Sequence, residues 1–169
     1  MQLGLTIPLQ QHLKIKSLPY GTPLERHYCW DLHIITLHSR PCLLSVHCRS
    51  RYTFVLFDVA ASEWMDLQRT FLNGLRNSLA ALSIGEEAIS HYLQCTAALE
   101  LTKTHGRREV AFLNRAWDDV MALDYTLDTS AQGQPLLDCA VNQKPSRCAG
   151  YDGLETAAER FSASLKMQK

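Results

Sequence analysis

The sequence lacks any long apolar run, and this absence excludes a membrane-spanning helix. Its most apolar stretches, such as FVLF, are far shorter than the roughly 20 residues that a helix needs to cross a bilayer. The N-terminus, MQLGLTIPLQQHLKIK, also lacks the basic start, the long apolar block and the small-residue cleavage site of a secretion signal. We therefore expect a cytoplasmic protein that does not engage a membrane.

Several motifs that identify an activity are absent as well. No two cysteines form a C-x-x-C pair, no G-x-x-x-x-G-K phosphate loop is present, and there is no G-x-S-x-G segment. We therefore expect no cofactor, name no catalytic residue, and leave open whether the protein is an enzyme. The six cysteines are expected to be reduced thiols, because a chain of this length has a full core and does not need disulfides.

The composition is that of one ordinary folded domain, covering residues 1–169. Its net charge of zero hides an asymmetry. Residues 1–52 carry six basic and two acidic side chains, a balance of +4, and residues 53–169 carry eleven and fifteen, a balance of −4. Opposed charges can attract each other within the fold or in an oligomer, and a basic segment can also bind an anionic partner.

Hydrophobic periodicity predicts the element order β-α-β-β-β-α-α-β-α-β-α. The predicted strands after the N-terminal one cover residues 30–38, 42–50, 52–59, 98–104 and 134–142. The first two of these are joined by the short link SRP, which indicates an antiparallel hairpin. Ser62 is expected to cap a long helix, and a closing helix covers residues 154–167. This order predicts an α+β fold with a mixed, largely antiparallel sheet covered by helices.

Apolar residues at three- and four-residue spacing mark the inner faces of the predicted helices. The residues expected in the core on this basis are Trp64, Leu67, Phe71, Leu75, Val110, Leu113 and Trp117.

The stretch HSRPCLLSVHCRSR, residues 38–51, contains residue types that bind zinc: His38, Cys42, His47 and Cys48. Side chains alternate between the faces of a strand, so His47 and Cys48 are expected to point in opposite directions. Cys42 and Cys48 are six residues apart, which is roughly 20 Å along a strand. A structural zinc site needs four ligands that converge on one ion. We therefore predict a hairpin here, with no metal-binding residue.

The arginines of this stretch suggest a different site. Arg49 and Arg51 lie at the far end of the second hairpin strand, and Arg107 and Arg108 follow the strand that ends at Thr104. If these two strands were parallel, their carboxyl ends would meet at one end of the sheet, where ligands tend to gather. We predict that an anionic partner binds there, at Arg49, Arg51, Arg107 and Arg108. The alternative is that these arginines are solvated or pair with acids from residues 53–169.

The segment KTHGRREVAFLNRAWDD has a strand-to-helix turn with one glycine, and free N–H groups at such a helix start can hold an anion. Within the helix, Arg115 and Asp119 are spaced for an ion pair one turn apart. A solvated helix face is the simpler interpretation of these charges.

The predicted element order is also that of ribonuclease H-like domains, whose chemistry needs carboxylates that converge on two metal ions. Asp31 lies near the start of the first hairpin strand, and Glu63 or Asp66 begins the long helix. The strand that ends at Lys103 and Thr104 lacks the acid that such enzymes carry there. A hydrolase or nuclease with an atypical or incomplete site is therefore one candidate function.

Three segments together resemble a family of short bacterial proteins known as a domain of unknown function. They are GLTIPLQQHLKIK, WDLHIITLHSRPCLLSVHCRSRYTFVLFDV and LELTKTHGRREVAFLNRAWDDV. In that family a strand ends in Thr, an Arg follows, and a helix carries Asn, a pattern that Thr104, Arg107 or Arg108, and Asn114 match here. The resemblance implies a bacterial cytosolic protein and supplies no established activity. It favours a regulatory or mobile-element role.

Two functions from different classes therefore stand at this point. The favoured one is a non-catalytic interaction or regulatory protein that binds a protein or nucleic-acid partner through its basic sheet rim. The other is the hydrolase or nuclease with an incomplete site.

Overall fold

The computed structural model describes residues 1–22, 24–94 and 98–166. At the centre of the fold is one open five-stranded sheet. Its strands are β1 (Gln2–Leu5), β2 (Cys29–Leu37), β3 (Arg40–His47), β4 (Thr53–Leu56) and β5 (Glu100–Lys103). They lie in the order β4-β3-β2-β1-β5. β1 is parallel to both β2 and β5, whereas β3 is antiparallel to β2 and β4. The predicted α+β class, the mixed sheet and the hairpin are confirmed.

Seven α-helices pack around this sheet in the part of the chain that the structure describes: α1 (Ile7–His12), α2 (Ala61–Met65), α3 (Leu67–Ala81), α4 (Glu86–Gln94), α5 (Arg107–Ala122), α6 (Pro135–Asn142) and α7 (Ala157–Lys166). The predicted long helix is thus divided at Asp66. Its cap is Ala60, two residues before the expected Ser62, and Glu63 accepts a hydrogen bond from the N–H of Ala60 at 2.7 Å. None of the described helices combines the length and the apolar character needed to cross a membrane.

Each face of the sheet has its own hydrophobic cluster. On one face, the aromatic side chains of Trp30 and Phe54 pack against α3, α4 and α7. On the other face, the apolar residues of β2, β3 and β4 pack against α5 and α6. β4 contributes to both clusters, because Phe54 and Leu56 face the first and Val55 faces the second. β4 is therefore covered on both faces, which explains why its segment is apolar at nearly every position.

Residues 134–142, predicted as a strand, form helix α6 instead. The helix lies against the outer edge of β4, where its polar side chains bond the strand's backbone. Asp138 accepts a hydrogen bond from the N–H of Val55 at 3.0 Å. Asn142 accepts one from the N–H of Thr53 at 2.8 Å and donates one to the carbonyl of Thr53 at 2.5 Å. These bonds satisfy groups that an open sheet edge leaves unpaired.

Most of the predicted core residues are buried, namely Trp64, Leu67, Phe71, Leu75 and Leu113. Val110 is half-buried, and Trp117 is 40% exposed, so its assignment to the core was wrong. The Trp117 side chain lies at the edge of the buried face of α5. One side of its ring contacts the His33 ring edge-on, with 5.2 Å between the ring centres, and the other side of the indole faces solvent. The closing helix begins at Ala157 rather than at residue 154, and residue 167 lies outside the described residues.

We expect Phe71→Ala to lower the free energy of unfolding by roughly 3–5 kcal/mol, as truncation of a buried aromatic residue generally does. Phe71 is fully buried and its ring packs between those of Trp30 and Phe54. The urea denaturation midpoint measures the effect. Met65→Ala is the matched control, since Met65 is 84% exposed and its truncation should leave the midpoint almost unchanged. An unchanged midpoint for Phe71→Ala would contradict the packing.

Asp138 should make the stability of the protein depend on pH. Burial raises its pKa to about 8, because the hydrogen bonds from Val55 and Ser78 offset the cost of burying its charge only in part. The folded state therefore holds a proton that the unfolded chain releases near its ordinary pKa of 3.8. The resulting stabilisation is full below that pKa and is lost as the pH rises to about 8.

In Asp138→Asn we expect this loss to be smaller, because asparagine keeps an oxygen for the Val55 N–H and does not ionise. Urea unfolding at several pH values, between about 5 and 8, measures the difference. Glu87→Gln, at an exposed position of α4, is the control and should keep the pH dependence of the parent protein. An Asp138→Asn variant with an unaltered pH dependence would show that Asp138 is not protonated in the folded state.

Candidate functional site

The four predicted arginines do not meet at the carboxyl ends of parallel strands. β5 is parallel to β1 and β2, whereas β3 is antiparallel to β2, so β3 and β5 run in opposite directions. After β5 the chain instead turns back over the sheet. The backbone N–H and the Nδ1 of His105 bond the carboxylate of Asp31, and Nδ1 lies 3.5 Å from the sulfur of Cys48. This return places the start of α5 beside the end of β3.

A cavity of about 320 Å³ opens between the turn that precedes β4, helix α5 and the segment after α6. We call it the cationic cleft. Four basic side chains and one acid contribute to its lining: Arg51, Arg115, Lys144, Arg147 and Asp119. Lys144 and Asp119 neutralise each other at 2.6 Å. Among the described residues, no carboxylate lies within 4.0 Å of the other three guanidinium groups.

Arg51 is partly buried, whereas Arg115 and Arg147 are exposed. Its φ of 65° is in the left-handed region that non-glycine residues rarely adopt. One guanidinium nitrogen donates to the carbonyl of Arg147 at 3.2 Å, but Nε is buried and has no hydrogen-bond partner among the described residues. Burial, together with the charges of Arg160 and Arg115, lowers its pKa. A guanidinium stays protonated despite such a shift, so the cleft keeps this positive charge.

An aromatic ring joins the cleft to a further arginine. The guanidinium carbon of Arg51 lies 5.4 Å from the centre of the Phe112 ring, and that of Arg108 lies 5.9 Å from it. Phe112 and Arg115 follow Arg108 on α5 at four and then three residues, so the three side chains share one helix face. Arg108 also pairs with Glu109 at 2.7 Å, which reduces its free charge.

A buried arginine, Arg160, holds together two backbone segments that border the cleft. Arg160 is 1% exposed and donates to the carbonyls of Ser50, Ser146 and Glu155 at 3.0, 2.9 and 2.7 Å. These bonds tie the segment after α6 to the end of the β3–β4 turn. Because all three acceptors are neutral carbonyls, the positive charge of Arg160 adds to the field of the cleft.

Two of the four predicted arginines lie at the cleft, and the other two lie outside it. Arg51 and Arg108 flank Phe112 at the cleft. Arg49 is exposed next to the segment after α6, where its carbonyl accepts a hydrogen bond from Cys148 at 3.4 Å. Arg107 is exposed at the first position of α5 and forms no ion pair among the described residues.

Three cations of the cleft were not predicted as binding residues. Arg115 was expected to pair with Asp119, but Asp119 pairs with Lys144 instead. Lys144 and Arg147 lie in KPSRCAG, a loop about which strand and helix periodicity says nothing. Two basic residues in a short loop were the only available signal, and the sequence does not indicate that this loop lies beside Arg51.

The carboxylates of the ribonuclease H-like interpretation do not converge. Asp31 is paired with His105 on the α5 side of the sheet. Glu63 bonds the backbone of Ala60 and the side chain of Gln132, and Asp66 pairs with Arg69 at 2.9 Å. In the sheet, the N-terminal strand β1 lies between β2 and β5.

The histidines and cysteines of residues 38–51 lie in different surroundings. His38 lies in the hairpin turn, and Cys42 is buried against α5. His47 is buried on the opposite face, where its ring bonds Ser50 at 2.7 Å, whereas Cys48 lies beside His105. His47 and Cys48 thus point to opposite faces, as predicted. Among the described residues the cysteines are free thiols, and Cys95 lies outside them.

Comparison with known proteins gives a family for this chain. No curated protein matches it. Residues 2–159 match the family model described as a domain of unknown function, DUF6933, so the match extends from β1 into α7. A match over nearly the whole length shows that the chain belongs to the DUF6933 family.

Proposed function

We propose that this protein is a non-catalytic interaction protein and that its cationic cleft binds the phosphate groups of a single-stranded nucleic acid. The observation that carries the proposal is that Arg51, Arg115 and Arg147 line one cavity and, among the described residues, have no carboxylate within 4.0 Å of their guanidinium groups. A phosphate bound between them would supply the missing negative charge.

The chemistry of the cleft suits a phosphate group. Guanidinium groups present planar pairs of N–H donors that match the oxygens of phosphate, and such charge-assisted bonds are stronger than neutral ones. The cavity volume of about 320 Å³ is at the low end of the range for small-ligand sites. A single nucleotide unit therefore fits this space better than a large cofactor.

Aromatic rings beside the arginines favour a nucleic acid over an acidic protein. Phe112 is half-buried between Arg51 and Arg108, and Tyr151 lies beside a neighbouring cavity that also includes Arg147. Proteins that bind single strands combine a positive groove with aromatic side chains on which bases stack. Arg49 and Arg107 extend the positive surface beyond the cleft, and in this proposal they contact neighbouring phosphates through solvent-exposed bonds.

The proposal places the protein in the bacterial cytoplasm as a regulatory factor. Buried Cys29 and Cys48 are free thiols, which is the normal state in a reducing compartment. The alternative of a hydrolase or nuclease has less support, because Asp31, Glu63 and Asp66 each bond different partners.

We expect Arg51→Glu combined with Arg115→Glu to weaken binding of a labelled single-stranded oligonucleotide by about 10-fold or more, since each charged hydrogen bond contributes about 1.5–3 kcal/mol. Fluorescence anisotropy of RNA and DNA probes, repeated over a series of salt concentrations, measures the affinity. The dependence of affinity on salt should also become less steep in the variant, because fewer phosphates are neutralised.

Arg40→Glu is the matched control. Arg40 is exposed at the first position of β3, at the opposite end of this strand from Arg51. The Arg40→Glu variant should leave the affinity unchanged. Arg49→Glu with Arg107→Glu tests the outer surface and should weaken binding less than the cleft variant does. Equal losses for the cleft variant and Arg40→Glu, or a parent protein that binds an acidic peptide and no oligonucleotide, would overturn the proposal. A cleft variant that loses stability yet keeps its affinity would show that these arginines are structural.

A further inference from the structure

A second cluster of ionisable side chains lies beneath the start of α5, away from the cationic cleft. Asp31 of β2 and Cys48, just after β3, point to the α5 side of the sheet, and His105 reaches them from the β5–α5 turn. The side chains of Asp31 and His105 are only 1% and 4% exposed. Three elements that are distant in sequence therefore place a carboxylate, a thiol and an imidazole around one buried point.

The distances within this cluster are close to those of a metal site. Nδ1 of His105 lies 2.6 Å from Oδ1 of Asp31 and 3.5 Å from Sγ of Cys48, and all three atoms lie within 4.8 Å of one another. Zinc bonds of about 2.0–2.3 Å in tetrahedral geometry separate neighbouring ligand atoms by about 3.3–3.8 Å. Side-chain shifts of less than about 1 Å would thus give all three ligands a common ion.

The hydrogen bonds around His105 leave Nδ1 directed at the cluster. Its other ring nitrogen, Nε2, lies 3.3 Å from Oε1 of Gln2. The amide of Gln2 is oriented in turn, since its Nε2 donates to Thr22 at 2.7 Å and to Glu100 at 2.9 Å. The Gln2 oxygen must therefore accept the Nε2 proton of His105. A histidine that binds a metal through one nitrogen commonly donates the other N–H to such an acceptor.

Both ring nitrogens of His105 therefore face acceptors. A proton between Nδ1 and the carboxylate of Asp31 satisfies this contact, and a cation bound at the same point would satisfy it as well. The same point is approached by the sulfur of Cys48, and thiolate, imidazole and carboxylate are the groups that zinc binds in proteins.

Gly4 of β1 keeps the necessary space open. A Cβ atom at this position would collide with Oδ1 of Asp31 and would lie 2.9 Å from Nδ1 of His105. The strand could carry a side chain here only if the Asp31–His105 pair moved away. A glycine at this position is thus explained by close approach to the cluster rather than by its own backbone conformation, which is extended within β1.

We propose that Asp31, Cys48 and Nδ1 of His105 bind a zinc ion that ties β2, the end of β3 and the β5–α5 turn together. Binding releases the thiol proton of Cys48 and the Nδ1 proton of His105 to solvent, so the ion replaces two protons. Three protein ligands leave the fourth tetrahedral position to water, and the burial of the ligands restricts access of any larger molecule to the ion. This inference departs from the sequence prediction of no metal-binding residue, which did not bring Asp31 and His105 together with Cys48.

Cobalt and zinc titrations of the full-length protein test the proposal. After treatment with a chelator, Co²⁺ should bind at one ion per chain and produce a thiolate-to-cobalt charge-transfer band and the intense visible bands of tetrahedral coordination. Zn²⁺ should then displace it and raise the melting temperature, whereas Mg²⁺ should do neither. A folded parent protein that gives no charge-transfer band and no zinc-induced stabilisation would refute the site, whatever the variants do.

Three variants locate the ion. Cys48→Ser should abolish the charge-transfer band and weaken binding by more than about 100-fold, since loss of a ligand exceeds the effect of losing an outer partner. Gly4→Ala should also weaken binding, by filling the space. Cys42→Ser is the matched control, because Cys42 is as buried as Cys48 and lies on β3, the strand that ends just before Cys48. Its variant should keep the band. A band that survives Cys48→Ser, or that disappears in Cys42→Ser alone, would show that the ion is held elsewhere.

Discussion

The hydrogen-bonding edge of β4, at the end of the sheet, is the constraint on which the arrangement of the cleft depends. An open edge leaves backbone N–H and C=O groups unpaired, and β4 is too buried on both faces for water to satisfy them all. Asp138 and Asn142 supply these bonds from one face of α6, at positions one helical turn apart. The helix must therefore lie along the strand. The segment that follows it then begins beside Thr53, so Lys144 and Arg147 reach the cleft that Arg51 already borders.

The second determinant is the return of the chain after β5. A strand parallel to its neighbours would carry the chain away from the end of β3. The bonds from His105 to Asp31 bring it back, and α5 then starts above the same end of the sheet. Helix α5 thus connects the polar cluster around His105 with the cationic cleft. The cluster positions the start of α5, and side chains from the next three turns of this helix line the cleft.

The sequence predicts those features that depend on local periodicity. The hairpin follows from two strands with a short link, and the buried stripe of α3 follows from apolar residues at helical spacing. The segment PLLDCAVN was ambiguous, since a short apolar run fits a strand or a buried helix. Two signals favoured the helix: a proline at its first position, and Asp138 and Asn142 four residues apart. The sequence does not indicate the partners of these two side chains, because the partners are backbone atoms of β4 more than 80 residues away.

The charge pattern of the chain explains why the site was predictable only in part. The basic balance of residues 1–52 drew attention to Arg49 and Arg51, and the predicted site added only Arg107 and Arg108 from the rest of the chain. The cleft nevertheless takes Arg115, Lys144 and Arg147 from the part of the chain with a negative balance. Folding separates these cations from the acids near them in sequence. In a protein of zero net charge the field of the cleft is local, because salt screens charges beyond about 8 Å. If the cleft binds an anionic partner as proposed, recognition therefore depends on groups that reach into the cleft itself.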